Sequence, residues 1–369
     1  MLVKQTVLST RITKKNILLN EFKALDCFSI VKNDDALYFT RIPRLQKWIS
    51  GENFVILGTG GSSLGGQCIH AISKNPKNIK FVNNLDPSTL NNLFSKIDLQ
   101  KTNFLCISKS GETLETVCQT MLIVDLIKNF ENFCEKFIII TENKKSSLRE
   151  LANEFNFLCL DHPETIGGRF SVFSIVGMLP AMLCGIDPKE IIAGGSEILN
   201  NSQHYLRQIE DGVSFVLDSF SNGLKQHVSF IYSDKLAFFG AWLAQLYAES
   251  SGKSGNGITP ITAVGSVDQH SQLQLYLDGA ADKCFTFFLE KQISALQISD
   301  QFIPKNLAYI KNKRIHDIFG AQYKATISSM LEKNYNVREI EIPEITPKVL
   351  GAMFMHFMLE VACVCKMIG

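Results

Sequence analysis

Short apolar segments alternate with helical stretches from Phe54 onward, and this alternation constrains the fold more than any other feature of the sequence. Amphipathic stretches at Glu112–Lys128 and Ser146–Phe155 separate several of the apolar segments. Strands that alternate with helices pair in parallel through right-handed crossovers, so the pattern predicts a parallel sheet covered on both faces. The candidate strands of this first series are Phe54–Leu57, Lys80–Val82, Phe104–Ile107, Phe137–Ile140 and Phe157–Leu160.

A second series of the same kind follows a helix-rich connection at Gly167–Ser221. Its candidate strands are Val228–Tyr232, Cys284–Leu289 and Val337–Ile342. Helices are predicted between and after them at Lys235–Ser250, Asp268–Leu277, Ala321–Lys333 and Pro347–Met367. The sequence therefore predicts an α/β protein with two layered sandwiches, one after the other, which a length of 369 residues accommodates.

Composition excludes several classes of partner. Lysine and arginine total 37 against 36 acidic residues, and this net charge of +1 gives no global attraction to nucleic acid or to an anionic membrane. The ten cysteines are scattered and none forms C-x-x-C, so we expect a reducing, cytoplasmic location. The apolar stretch Leu350–Cys365 is interrupted by His356 and Glu360, which predicts a buried core helix and no membrane span.

The glycine-rich segment Gly58–Gly66, with the sequence GTGGSSLGG, directly follows a predicted strand and opens a predicted helix. Glycines let backbone N–H groups approach a ligand at a helix N-terminus, so the segment is a candidate site for an anion or sugar hydroxyl. It matches neither a P-loop nor a dinucleotide fingerprint. A tight structural turn is the alternative interpretation.

The segment Ser108–Thr113, SKSGET, again lies between a strand and a helix. Three hydroxyls, a lysine and free amides at a helix start are the ingredients of a monophosphate pocket. The alternative is a capping box that uses Glu112 or Glu115. The hydroxyl density favours phosphate, because a cap needs a single hydroxyl.

Three further residues carry candidate chemistry. Arg169, in GGRFS, can place a positive charge beside a developing oxyanion. Glu249 stands one helical turn after Gln245 and is a candidate general base. His270, in VDQHSQ, can move a proton near neutral pH. Each alone is as well explained by an ordinary surface or structural residue, and no cluster at metal-ligand spacing is present in the sequence, so we infer no metal site.

The order of these five motifs is more informative than any one of them. The succession GTGGSSLGG, SKSGETLET, GGRFSVFS, QLYAESSGK and VDQHSQLQLYLDG resembles the glucose-6-phosphate isomerase family in its compact bacterial form, from about Val55 onward. The resemblance implies two sugar-isomerase (SIS) domains, each a five-stranded parallel sheet in a three-layer α/β/α sandwich. We expect a helical or extended segment at 1–45, a first SIS domain at 46–190 and a second at 191–369.

The resemblance also implies an activity and roles for individual residues. It implies interconversion of glucose 6-phosphate and fructose 6-phosphate through a cis-enediolate, in glycolysis and gluconeogenesis, without a cofactor. Glu249 falls on the family's base, Arg169 on the residue that stabilises the enediolate, and His270 on the ring-opening histidine that a homodimer presents across its interface. The substrate-binding positions are the phosphate-pocket residues Ser108, Lys109, Ser110 and Thr113 and the sugar-contacting residues Gly61, Ser62 and Gln245.

One departure from the family pattern concerns the end of the chain. The family follows its last helix with a segment of the type N-P-F-D-Q-x-x-V-E-x-x-K, whose lysine assists ring opening, whereas this sequence ends at Gly369. Reduced turnover is the resulting expectation. The alternatives are a catalytically impaired SIS protein that binds sugar phosphates, and an SIS isomerase acting on phosphomannose or an amino sugar.

Overall fold

The computed structural model describes residues 2–9, 21–200, 202–291 and 293–368. Contacts divide them into two compact units. The first unit comprises residues 21–200, and the second comprises residues 2–9 together with 202–291 and 293–368. Residues 21–45 thus pack with the first sheet, and residues 2–9 with the second.

Two five-stranded sheets form the centres of the units. The strands are β1 (Lys4–Val7), β2 (Asn53–Leu57), β3 (Asn78–Val82), β4 (Thr102–Ile107), β5 (Phe137–Thr141), β6 (Leu158–Asp161), β7 (Gln226–Tyr232), β8 (Thr259–Val264), β9 (Lys283–Glu290) and β10 (Asn336–Ile342). The α-helices are α1 (Asp26–Ser29), α2 (Pro43–Ile49), α3 (Leu64–Ile72), α4 (Pro87–Phe94), α5 (Leu114–Ile127), α6 (Ser147–Glu154), α7 (Ile175–Leu183), α8 (Pro188–Asn200), α9 (Ser202–Ser221), α10 (Ala237–Ser251), α11 (Leu273–Asp278), α12 (Ile315–Glu332) and α13 (Pro347–Ile368).

The first sheet is entirely parallel, with strand order β3-β2-β4-β5-β6. Its central strands β2, β4 and β5 are buried on both faces because helices cover both. Phe104 stacks on Phe137 at 5.1 Å between ring centroids, and Phe137 stacks on Phe157 at 4.5 Å. The next two strands along the chain, β3 and β4, lie on opposite sides of β2, so a crevice is expected at the carboxyl ends of β2 and β4.

The second sheet has the order β1-β10-β9-β7-β8, and β1 runs antiparallel to β10. The expectation of two wholly parallel sheets is therefore wrong for this strand. An antiparallel edge strand needs no crossover helix, and β1 adds to the sheet directly from the N-terminal side of the chain. Lys4 and Glu341 face each other in this pair, with 3.2 Å between Nζ and Oε2.

The predicted core helix is confirmed as α13. Among the residues that the structure describes, α13 is the one helix long and apolar enough to cross a membrane, and 83% of its most apolar window is buried inside the protein. It packs against α9 and α10. The helices predicted at Glu112–Lys128, Ser146–Phe155 and Lys235–Ser250 correspond to α5, α6 and α10.

Candidate active site

The GTGGSS loop leaves β2 and turns sharply before α3 begins. Residues Gly60–Ser62 form a single 3₁₀ turn, with Gly60 at φ +54°, a left-handed conformation that favours glycine. The Nε2 of Gln67 donates to Ser63 Oγ at 2.7 Å in a buried position, so the Ser63 hydroxyl serves the fold. Ser62 is half-buried on the turn itself.

Gly61 lies directly against the GGRFS segment. A Cβ at this position would stand 2.3 Å from the Gly168 carbonyl oxygen and 2.8 Å from the Arg169 nitrogen, so only glycine allows the approach. Gly167 and Gly168 themselves have open space around the position of a Cβ. Close packing at Gly61 therefore joins the first and third motifs.

Arg169 lies in the 3₁₀ segment Gly168–Phe173. Its guanidinium carbon is 5.2 Å from the centroid of the Phe170 ring, and the side chain is half-buried. The Phe170 amide donates to the Gly167 carbonyl at 2.9 Å, which closes the turn. This turn sets the direction from which Arg169 leaves the backbone.

The SKSGET loop follows β4 and connects its hydroxyls to each other. Ser108, which is buried, lies 2.8 Å from Thr113 between hydroxyl oxygens, and the Gly111 amide donates to Ser108 Oγ at 3.2 Å. The Glu112 amide donates to Ser110 Oγ at 3.1 Å. Thr113 occupies the N-cap of α5, but its hydroxyl makes no capping bond, which leaves the amides of the first turn without a side-chain cap.

Glu112 has a different role from the predicted capping box. Its carboxylate accepts from both the amide and the hydroxyl of Ser147, at 2.7 Å each, at the start of α6. These hydrogen bonds hold the pKa of the Glu112 carboxyl below its ordinary value. Glu112 thus ties the SKSGET loop to a neighbouring helix, and it leaves the start of α5 open.

Lys109 is fully engaged within the first unit. Its Nζ donates to the carbonyl oxygens of Glu164 at 3.0 Å and Ile166 at 2.9 Å, and lies 3.3 Å from Glu142 Oε1. Although burial opposes ionisation of Glu142, hydrogen bonds from Lys144 and Lys109 hold its pKa below the ordinary value. Glu142 was not among the candidates from sequence, because nothing in its neighbourhood there marks it.

In the second unit, Gln245 and Glu249 contact each other on α10. The Gln245 amide nitrogen donates to Glu249 Oε1 at 2.7 Å, which confirms that the two share a helix face. Glu249 is exposed, whereas Gln245 is half-buried and its buried Oε1 has no hydrogen-bond partner among the described residues. The amide nitrogen therefore orients the carboxylate.

His270 is presented by an anchored loop after β8. Asp268 accepts from the Val264 amide at 2.7 Å, and Gln269 donates to the hydroxyls of Tyr232 at 2.7 Å and Thr326 at 2.6 Å. The neighbours of His270 thus point inward while His270 is exposed. The helix predicted to start at Asp268 begins only at Leu273, because a 3₁₀ turn precedes it.

Comparison with known proteins shows the family to which the chain belongs. The family model described as phosphoglucose isomerase matches residues 47–298, which is more than half of the chain and spans all ten candidate residues. The chain belongs to the phosphoglucose isomerase family.

Curated relatives agree with this membership of the phosphoglucose isomerase family. A glucose-6-phosphate isomerase of Methanocaldococcus jannaschii is 32% identical over 339 residues, which cover 89% of this chain and 82% of the relative. One from Campylobacter jejuni is 29% identical over 339 residues, covering 86% and 80%. The match extends over both units of this family member.

Solved structures show the same fold. A hypothetical protein of Thermus thermophilus has a TM-score of 0.84 at 24% identity, covering 95% of this chain and 87% of that one. A glucose-6-phosphate isomerase of Chlamydia trachomatis has a TM-score of 0.75 at 19% identity, covering 98% and 77%. The two-sheet SIS architecture is thus the fold of this phosphoglucose isomerase family member.

A buried charged cluster lies beneath α10 and was missed from sequence. Arg338 on β10 makes two hydrogen bonds to Glu360 on α13, at 2.6 and 3.0 Å, and both side chains are fully buried. Tyr247 donates its hydroxyl to Glu360 at 2.6 Å. Tyr247 stands on the same helix as Gln245 and Glu249, so the cluster is bonded to the helix that carries the candidate base.

The described residues contain no group of three or more His, Cys, Asp or Glu side chains arranged to hold a metal ion. All ten cysteines lie within the described ranges and are free thiols, five of them buried. Burial raises the pKa of Cys106 and Cys284 to about 12, so these two thiols act as apolar core groups.

Proposed function

We propose that this member of the phosphoglucose isomerase family interconverts glucose 6-phosphate and fructose 6-phosphate. The observation that carries the proposal is that one family match, residues 47–298, contains the glycine loop, the hydroxyl loop, the arginine, the carboxylate and the histidine in order. Such an isomerisation needs a base that reaches two adjacent carbons, a cation for the transient oxyanion and a remote anchor.

The phosphate anchor is proposed at the start of α5. Ser108, Ser110 and Thr113 supply hydroxyls there, and the first turn of the helix supplies amides that the Thr113 side chain does not cap. A phosphate dianion interacts favourably with both groups and with the positive end of the helix. Binding the phosphate away from the reacting carbons supplies energy for positioning the sugar.

Glu249 is proposed as the base. It removes the proton from C2 of the open-chain aldose and returns it to C1, so that the enediolate becomes the ketose with no net change in protons. The amide of Gln245 holds the carboxylate in place from 2.7 Å. Gly61, Ser62 and Gln245 are proposed contacts for the sugar hydroxyls.

Arg169 and His270 complete the proposed machinery. Arg169 stabilises the negative oxygen of the enediolate, and its placement by the Gly61 contact suits this role. His270 opens the sugar ring, and its exposure suits the homodimer in which each histidine serves the partner's site. We also propose a cytoplasmic location, which agrees with ten free cysteines.

A coupled assay tests this function. Purified protein converts fructose 6-phosphate to glucose 6-phosphate, which an added NADP-linked dehydrogenase oxidises, and NADPH absorbance reports the rate. Mannose 6-phosphate and an amino-sugar phosphate serve as competing substrates. Binding of fructose 6-phosphate without turnover would favour a sugar-phosphate-binding protein and contradict the proposal.

Substitution of the base sharpens the test. We expect Glu249→Gln to lower kcat by about 10²- to 10⁴-fold, the usual contribution of a positioned base, with KM nearly unchanged. Glu332→Gln is a matched control, because Glu332 is also an exposed carboxylate at the end of a helix with a hydrogen bond from four residues earlier, Ser328. A Glu249→Gln variant as active as the Glu332→Gln control would refute the role.

A further inference from the structure

We infer that Lys109 is a positioning residue for Arg169, and that its ammonium group does not bind the substrate phosphate. This inference rests on the proposed function, in which Arg169 stabilises the enediolate. It differs from the role that the sequence resemblance implies for Lys109, which is phosphate binding. The evidence is the set of partners that the lysine already has within the first unit.

The hydrogen-bonding capacity of the Lys109 ammonium is already used. A lysine ammonium has three N–H donors. Three acceptors surround this one, namely the carbonyls of Glu164 and Ile166 and the carboxylate of Glu142. A phosphate oxygen could join only by displacing one of them, whereas the amides of the first turn of α5 receive no cap from the Thr113 side chain.

Glu142 makes displacement of the lysine unfavourable. Its side chain is only 8% exposed, and Oε1 faces Lys109 while Oε2 faces Lys144. The Glu142 amide also donates to the Lys109 carbonyl at 3.0 Å, so backbone and side chain join the same two residues. Withdrawing the ammonium would leave a nearly buried carboxylate short of a partner, which is costly.

The two carbonyls that Lys109 binds lie just before Arg169. Ile166 is buried, and between it and Arg169 stand only Gly167 and Gly168, which have no side chains to restrain the backbone. Lys109 therefore restrains the backbone just before Arg169, while Gly61 packs against the backbone of Gly168 and Arg169 itself. Arg169 is held between these two contacts.

The two roles for Lys109 predict different kinetics. A phosphate ligand acts equally on ground and transition states, so its loss raises KM and the Ki of inorganic phosphate. A residue that positions Arg169 acts on the charge that develops during reaction, so its loss lowers kcat. Inorganic phosphate, as a competitive inhibitor, reports the anchor separately from the chemistry.

The experiment compares Lys109→Met with Lys144→Met, which removes the other lysine paired with Glu142. We expect Lys109→Met to lower kcat by about 10- to 100-fold, the scale of an ångström-sized misplacement, and to change the phosphate Ki by about twofold or less. Lys144→Met should leave both near wild type. In an Arg169→Met background, Lys109→Met should have little further effect on kcat, because the two act as a unit.

A phosphate Ki that rises tenfold or more with kcat unchanged would overturn the inference, as would additive effects of Lys109→Met and Arg169→Met. If Lys109→Met does not fold, Glu142→Gln replaces it, with the same direction expected and a smaller loss of kcat.

Amide hydrogen exchange separates this inference from the proposed function. Lys109→Met should speed exchange at Ile166 and Phe170, whose amides bond to Pro163 and Gly167 within the segment, even if the wild type has no isomerase activity. Unchanged exchange there would overturn the inference, whereas an inactive wild type with faster exchange in the variant would overturn only the function.

Discussion

The two units each contain a lysine or arginine paired with a glutamate, and they use the pair differently. In the first unit, the side chain of Lys109 is 31% exposed and that of Glu142 is 8% exposed, and the lysine donates two hydrogen bonds to backbone carbonyls. In the second unit, Arg338 and Glu360 are both 0% exposed, and the arginine binds the carboxylate with both nitrogens. The first pair restrains a loop, and the second joins a strand to a helix inside the core.

The difference follows from which elements carry the candidate residues in each unit. Candidate residues of the first unit lie on loops, so a charge at the strand ends holds the loops in place. Candidate residues Gln245 and Glu249 lie on a helix, and a charge behind that helix holds it through Tyr247. A buried ion pair seldom adds net stability over an apolar replacement, so we interpret Arg338–Glu360 as a device that fixes one arrangement.

The largest predicted effect on stability comes from breaking the buried pair of Arg338 and Glu360. Arg338→Met leaves the buried Glu360 carboxylate without its arginine, which holds the pKa of this carboxyl well below its ordinary value against the opposing effect of burial. We expect the free energy of unfolding of the second unit to fall by about 3–5 kcal/mol. Lys109→Met, at a partly exposed pair, should cost about 1 kcal/mol in the first unit.

The two tryptophans allow each unit to be followed separately in urea. Trp48 lies in the first unit and Trp242 in the second, and both are buried. In a Trp48→Phe background, fluorescence reports only the second unit, and in a Trp242→Phe background only the first. Equal losses from Arg338→Met and Lys109→Met would contradict the contrast between the two pairs.

Tyr247→Phe has the next largest effect. It removes one hydrogen bond to a charged carboxylate, which costs about 1.5–3 kcal/mol in the second unit. Because Tyr247 lies between Gln245 and Glu249 on α10, we also expect kcat to fall by about tenfold or less, with KM unchanged.

Tyr323→Phe is the matched control for this prediction. Tyr323 is equally buried, and its hydroxyl donates to Glu339 at 2.8 Å, but it lies on α12. It should lower stability by a similar amount and leave kcat as in the wild type. If both tyrosine variants lower kcat alike, the cluster has no special relation to α10.

The strands that are buried on both faces were predicted from sequence, and so were the edge strands β3 and β6 of the first sheet. Phe104–Ile107 and Phe137–Ile140 read as continuous apolar runs because helices cover both sides of the parallel sheet. β1 and β8 were not predicted, because KQTV is largely polar and TPITAV carries a proline at its second residue, and each is an edge strand. Edge strands bury less surface and carry a weaker pattern.

The candidate site was predicted as motifs, and not as contacts. Residues next to each other in a loop, such as Ser108 and Thr113, could be grouped from spacing alone. The approach of Gly61 to Gly168 and the pairing of Lys109 with Glu142 depend on how distant segments pack, which no local pattern records. The pairing of Arg338 with Glu360 could not be predicted for the same reason, although a glutamate in an apolar helix indicates that a partner is needed.

The last predicted effect is a difference in acid sensitivity between the units. Burial, and then the nearby Arg338 guanidinium, lower the pKa of His227 to about 3, while its Nε2 lies 2.7 Å from the Thr286 hydroxyl. The unfolded chain takes up a proton on this histidine near pH 6.5, and the folded protein does not. The contribution of His227 to the free energy of unfolding of the second unit is therefore complete above pH 6.5. It decreases by about 1.4 kcal/mol per pH unit as the pH falls toward 3.

His162 provides the comparison in the first unit. Burial lowers the pKa of His162 and the nearby Lys109 adds to this, but the Pro163 carbonyl and Glu142 favour its charged form and oppose the shift. The test measures urea unfolding from pH 7 to pH 5. His227→Gln should reduce the pH dependence of the free energy of unfolding of the second unit, which Trp242 reports. His162→Gln should reduce that of the first unit, which Trp48 reports, by less. An equal change in both units would show that burial alone sets these pKa values, and that the Arg338 charge does not reach His227 with any measurable effect.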